Sequence, residues 1–136
     1  MKRVAISACS LVAVSALVLG WGLVATINAP AATSKVSLRG DYLIESVPVG
    51  GMLAPLGGLA YLRIIDRQNP DQVFRSPLYL RQSVDIRVTE DERSLGVTWI
   101  EFDKHRRWFT LRIPQWRPDW RNTFISNTPY DVLPNG

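Results

Sequence analysis

Beyond Cys9 the sequence contains no cysteine, so the remainder of the chain must fold without an internal disulfide or a thiolate metal site. Histidine is as scarce. His105 is the single one, and it sits beside Lys104, Arg106 and Arg107, which disfavour a protonated imidazole, with Asp103 the one nearby carboxylate to orient it. It reads as an exposed turn residue. Neither a Gly-x-Ser-x-Gly elbow nor a Ser-x-x-Lys pair occurs, so nucleophilic catalysis has no visible apparatus. Asp85, Glu101 and Asp103 lie at spacings with no meaning for paired-carboxylate chemistry. No catalytic residue, metal ligand or cofactor motif is assigned, no internal repeat stands out, and the expectation is a noncatalytic protein.

An excess of one charge is also missing. Of 16 Lys and Arg, Lys2 and Arg3 flank an apolar run, which leaves 14 against 12 Asp and Glu, a net +2. These basic groups are scattered among acidic ones with no stripe, which argues against nucleic acid as a partner.

What is present begins at the N-terminus. Val4 to Ile27 carries no charge and as a helix would rise about 36 Å, enough to span a bilayer and long for a cleavable signal core. The expectation is a membrane anchor over 1–27 that meets the inner membrane through residues 4–27. Ala29-Pro30-Ala31 keeps the alternative of signal cleavage open. Lys2 and Arg3 place the short side in the cytoplasm and the remainder outside, which in a Gram-negative bacterium is the periplasm. Ile6-Ser7-Ala8-Cys9 approaches a lipoprotein box, but too few apolar residues precede it, and Cys9 reads as a small apolar group within the helix.

Residues 28–39 turn to Ala, Pro, Thr and Ser and read as a flexible linker, followed by an exported domain over 40–136. The domain reads as mainly β, a small antiparallel sheet or sandwich of about five to seven strands with a short C-terminal helix. Candidate strands are Tyr42–Val47, Leu59–Asp66, Gln72–Arg75, Leu78–Leu80 and the alternating Val84–Thr89, with Asp66–Asp71 and the solvated Glu90-Asp91-Glu92 as turns. Gly96–Ile113 reads as one hairpin around Asp103–Arg106. In it Phe102 would face Arg107, Ile100 would face Phe109 and Thr98 would face Leu111. Trp99 and Trp108 on the opposite side imply a hairpin covered on both faces.

Two stretches are candidates for a partner or ligand surface. The apolar loop "VPVGGMLAPLGGLAYL" lacks the Lys-Ser/Thr ending of a phosphate loop, and it offers Met52, Leu53 and Leu56 for interaction with a helical turn over Met52–Ala54. The second stretch interleaves Trp116, Arg117, Trp120 and Arg121. Pro118 and Asp119 suit the start of a short helix. One turn along it, Trp120 and Phe124 would share a side and dock onto the sheet, leaving Trp116, Arg117 and Arg121 to face a ligand. The tail from Asn127 would run extended, with Tyr130, Val132 and Leu133 as packing anchors and prolines at Pro129 and Pro134. The leading expectation is a membrane-tethered periplasmic interaction protein, an envelope or secretion accessory or an immunity-type protein, with a protein partner. The alternative is a carbohydrate- or peptidoglycan-binding module that stacks sugars on Trp116 and Trp120.

Overall fold

In the computed structural model of the chain residues 2–133 are described, the side chains of residues 2–6 and of Met52 excepted. Pro134 and the side chain of Met52 therefore lie outside the described residues. Helix α1 covers Lys2–Ile27 and is followed by ten short strands and one short helix among the described residues. The fold is mainly β, as the alternation of the sequence implies.

The first sheet contains β1 (Thr33–Val36), β2 (Tyr42–Val49), β3 (Leu59–Asp66), β4 (Val73–Arg75) and β5 (Tyr79–Leu80). Its order is β1-β2-β3-β4, and β5 also pairs with β3. The second contains β6 (Thr89–Glu90), β7 (Ser94–Val97), β8 (Ile100–Asp103), β9 (Trp108–Leu111) and β10 (Tyr130–Val132). Its order is β10-β9-β8-β7-β6, antiparallel except that β10 runs parallel to β9. Helix α2 (Asn122–Ile125) precedes β10.

The two sheets face each other across a core in which Ile44, Leu62 and Ile64 meet Leu95, Ile100, Phe102, Phe109 and Leu111. Phe102 is its centre: its ring lies 5.0 Å from both Phe74 and Phe109 and 6.4 Å edge-on from Tyr42. In β2 and β3 the opposite set of side chains is buried as well. Val47, Val49 and Tyr61 pack with Leu53, Ala54, Leu78 and Ile125 in a second cluster, against which Leu23, Ala29 and Ala31 lie. Sheet one is thus covered on both faces, and the order of layers is α1 with α2, first sheet, second sheet. That accounts for the near-continuous apolar run of β3.

Several expectations are corrected here. The double-covered element is β2–β3 and not the 96–113 hairpin, whose other face leaves Glu101 and Arg112 in solvent. That segment is two hairpins: a tight Thr98-Trp99 turn joins β7 to β8, with Val97 facing Ile100, and Trp99 has a positive φ of 71°. In the β8–β9 hairpin Phe102 faces Phe109 and Ile100 faces Leu111. The register differs by two residues from the expected one, so every side chain keeps its face. Asp103 explains the longer turn, because its Oδ1 accepts from both His105 N and Arg106 N at 2.9 Å, and Arg107 closes the loop at φ 55°.

Residues 84–88 form no ladder, although Val84 is buried and Ile86 and Val88 lie against the core as their alternation requires. The 28–39 segment is not a free linker. Ala32 N donates to Ser46 O at 2.9 Å and Thr33–Val36 pairs with Leu43–Ser46 as edge strand β1. The β-branched Thr33 and Val36 suit that place, and composition alone concealed it.

Glu90 departs from the solvated turn expected of it. Its carboxylate is fully covered, accepts from Lys104 Nζ at 3.1 Å and from Arg39 N at 3.3 Å, and so ties the β1–β2 turn to the second sheet. Burial pushes its pKa up, but the bonds from Lys104, Arg39 and Ser37 outweigh this and hold it below the ordinary value.

Two outcomes are expected. A Cβ at Gly96 would stand 2.5 Å from Ile100 O, so Gly96→Ala lowers the unfolding free energy in urea by about 1–3 kcal/mol; an unchanged midpoint would mean the β7–β8 turn yields freely. Because the folded state depresses the pKa of Glu90, its contribution is present above the ordinary Glu pKa of about 4.3 and is lost as pH falls through the lower folded value. Glu90→Gln should flatten part of that acid limb in urea titrations from pH 7 to 3. Asp103, held down first by Arg106 N, and Asp119, held down first by Arg121, retain the rest.

Candidate functional site

A helix leaves its last carbonyls without intrahelical partners, and where a helix ends against protein these must be met by side chains. At the end of α1 the first sheet supplies them. Tyr61 Oη donates to Thr26 O at 2.7 Å and to Ile27 O at 3.2 Å. Arg63 Nη1 donates to Ile27 O at 3.0 Å and to Ala29 O at 3.1 Å, while its Nε holds Glu45 Oε1 at 2.9 Å. A guanidinium is also the favourable charge at a helix C-terminus. Burial pushes the Tyr61 phenol above its ordinary pKa and keeps it a donor. The last turn of α1 and the first sheet are thereby joined by directional bonds as well as by the second cluster.

Two further segments lie against the same end of the helix: the one-turn helix Gly51–Leu53 and helix α2. The two candidate surfaces of the sequence converge here. Arg121 pairs with Asp119 and also donates to Leu53 O, stitching the apolar loop to the Trp/Arg segment. Arg121 and Leu53 are therefore structural groups, Leu53 being buried in the second cluster. Leu56 stands fully exposed at the loop tip, where Gly57 and Gly58 take φ of 66° and 79°.

The expected roles of the tryptophans are reversed. Trp116, expected to face a ligand, is half-buried against the main core, donates from Nε1 to Leu78 O at 2.8 Å and meets Tyr130 edge-on at 6.0 Å. Trp120 and Phe124 do share a side, their rings edge-on at 6.2 Å, but they are 65% and 50% exposed. The physical reason lies in α2, which has one turn and spends its inward positions on Asn122, whose Oδ1 accepts from Leu78 N at 2.8 Å, and on the fully buried Ile125. Positions 120 and 124 are then carried outward.

Beside Trp116 runs a cleft of about 860 Å³, between β5 and the 113–119 segment, with Tyr79, Leu80, Trp116 and Arg117 among its walls. Arg117 is exposed there. His105 is exposed in its turn, Asp85 and Glu101 are exposed, and the Asp103 carboxylate is committed to that turn and to Arg93 at 3.1 Å. Among the described residues no three His, Cys, Asp or Glu gather as a metal set. Comparison with protein-family models, with curated proteins and with solved structures gives no match.

Tyr61 and Arg63 carry the arrangement at the helix end, and neither is among the residues that the sequence marks for a candidate surface. A signal for Arg63 does exist: it is a lone cation inside an apolar strand, and its cross-strand partner in register is Glu45. Opposite charges facing each other on otherwise apolar strands mark a pair with a task.

Arg63→Ala would leave Glu45, which is 12% exposed, and the Ala29 carbonyl without their partner, and would leave Ile27 O to Tyr61 alone. The expected cost is about 3 kcal/mol, and limited proteolysis should cut faster within residues 28–32. Unchanged cleavage there would show that the helix end is held by packing alone.

Proposed function

We propose that the chain is a single-pass membrane protein that retains α1 as its anchor and displays the β-sandwich on the far side, the periplasm in a Gram-negative bacterium, as a noncatalytic module for protein interaction. The stretch Ser7–Ile27 is long and apolar enough to cross a membrane, with a mean hydropathy of 2.1, and from Ser7 to Trp21 it is exposed along its whole length. A helix apolar on all sides and bare of protein is suited to lipid. The observation that carries retention is the clamp of Tyr61 and Arg63 on the carbonyls of Thr26, Ile27 and Ala29. Cleavage near Ala31 would strip the buried Tyr61 phenol of its acceptors, leave the partly buried Arg63 with Glu45 alone, and remove Leu23, Ala29 and Ala31 from the second cluster.

The Trp116 cleft is the surface best suited to a partner segment. It combines a largely apolar lining with the exposed Arg117, apolar contact and a fixed charge being what orients a bound segment. The glycan reading has less support, since the Trp116 indole N–H is spent on Leu78 O and the ring is half-covered.

Intact-mass measurement on carbonate-washed membranes should return the uncleaved chain of 15.3 kDa. A product beginning near residue 32 would overturn retention. A photo-crosslinking residue in place of Arg117 should give one discrete adduct in cells, with none from the same residue at Glu101 on the open sheet face. No adduct at position 117 would remove the cleft as the partner site.

A further inference from the structure

The exposed apolar groups around the end of α1 have no partner within the described fold, and their position relative to the span identifies one. We propose that Leu56, Trp120 and Phe124 form a collar that enters the headgroup and acyl boundary of the bilayer, so that the domain lies on the membrane surface. This rests on the reading of α1 as a retained span.

Length sets the depth. Val4 to Trp21 rises about 27 Å, close to a hydrocarbon thickness of about 30 Å. Trp21 then falls at the interface, where tryptophan is favoured, and it is 79% exposed on the helix. Gly22 to Ile27 adds about 9 Å, which carries the chain through the headgroup layer. The domain does not begin above that layer. Trp21, Gly22 and Ala25 already share a cavity of about 340 Å³ with Pro48, Gly51 and Leu53, so the Gly50–Gly58 loop stands at headgroup depth beside the helix. Helix α2 also touches α1, and Arg121 bonds it to the loop through Leu53 O.

On these two segments the outward groups are Leu56, at full exposure, Trp120 at 65% and Phe124 at 50%. Exposed aromatic and aliphatic side chains flanking a span are the chemistry of interfacial insertion. The cation closest to them in sequence, Arg121, is neutralised by Asp119 and 19% exposed, so little charge desolvation opposes entry.

The test uses the full chain with Cys9→Ser, reconstituted in vesicles of phosphatidylethanolamine and phosphatidylglycerol. Single spin labels are placed through Phe124→Cys, Leu56→Cys, Val14→Cys and Glu101→Cys, and their accessibility to oxygen and to a nickel chelate is compared. The label at Val14 should be shielded from nickel and open to oxygen, and the label at Glu101 should be open to nickel. The collar predicts loss of nickel accessibility at both 56 and 124 on vesicles, relative to the label at 101. Nickel access at 56 and 124 equal to that at 101, with 14 still shielded, overturns the collar and leaves the surface to a protein partner. Nickel access at 14 overturns the span itself. Using two collar positions keeps the test decisive if one variant misfolds.

Discussion

Helix α1 ends against a β-sheet, and the carbonyls of that end cannot all be left to water. Arg63 and Tyr61 resolve this constraint from the middle of β3, and Glu45 on β2 fixes the guanidinium so that both Ile27 O and Ala29 O are met. The rest of the arrangement depends on it. With the helix end held on the outer face of the first sheet, Leu23, Ala29 and Ala31 lie against the second cluster, in which α2 buries Ile125. A free helix end would uncover the part of that cluster they shield.

A domain without disulfides has to find its stability in burial. This one does so by using the first sheet twice. Phe102 and its aromatic neighbours fill one side, and the helix end with the Gly51–Leu53 turn fills the other. The second sheet has one buried face only, which is why Glu101 and Arg112 are tolerated on it. The seating of α1 and the stability of the domain are consequently coupled, since the same residues close the second cluster and receive the helix end.

Much of this was legible in the residues. Runs of aromatic and branched residues mark β2, β3, β4 and the β8–β9 hairpin, and the two-residue register difference does no harm because parity, not register, assigns the buried face. Val84, Ile86 and Val88 point inward as their spacing requires, yet no strand pairs with them, because the hydrogen-bond partner of a segment is a property of its neighbours. The candidate site is less legible. Size alone points large rings to the core, whereas a one-turn α2 offers two inward positions, and Asn122 and Ile125 occupy them. Trp120 and Phe124 are therefore outside, while Trp116 is half-buried against the core and also lines the cleft.

Local composition and periodicity suffice for the apolar span, the β class of the domain, the polar turns and the face each strand residue takes, because these follow from a chain's own spacing. Which strand meets which, the capture of residues 32–36 as an edge strand, the burial of Glu90 against Lys104, and the seizure of the helix end by Arg63 do not. The β1–β2 pairs are 7 to 13 residues apart, Glu90 and Lys104 are 14, and Arg63 lies 36 and 34 from Ile27 and Ala29, and only the packed structure brings a donor within reach of an acceptor across such separations.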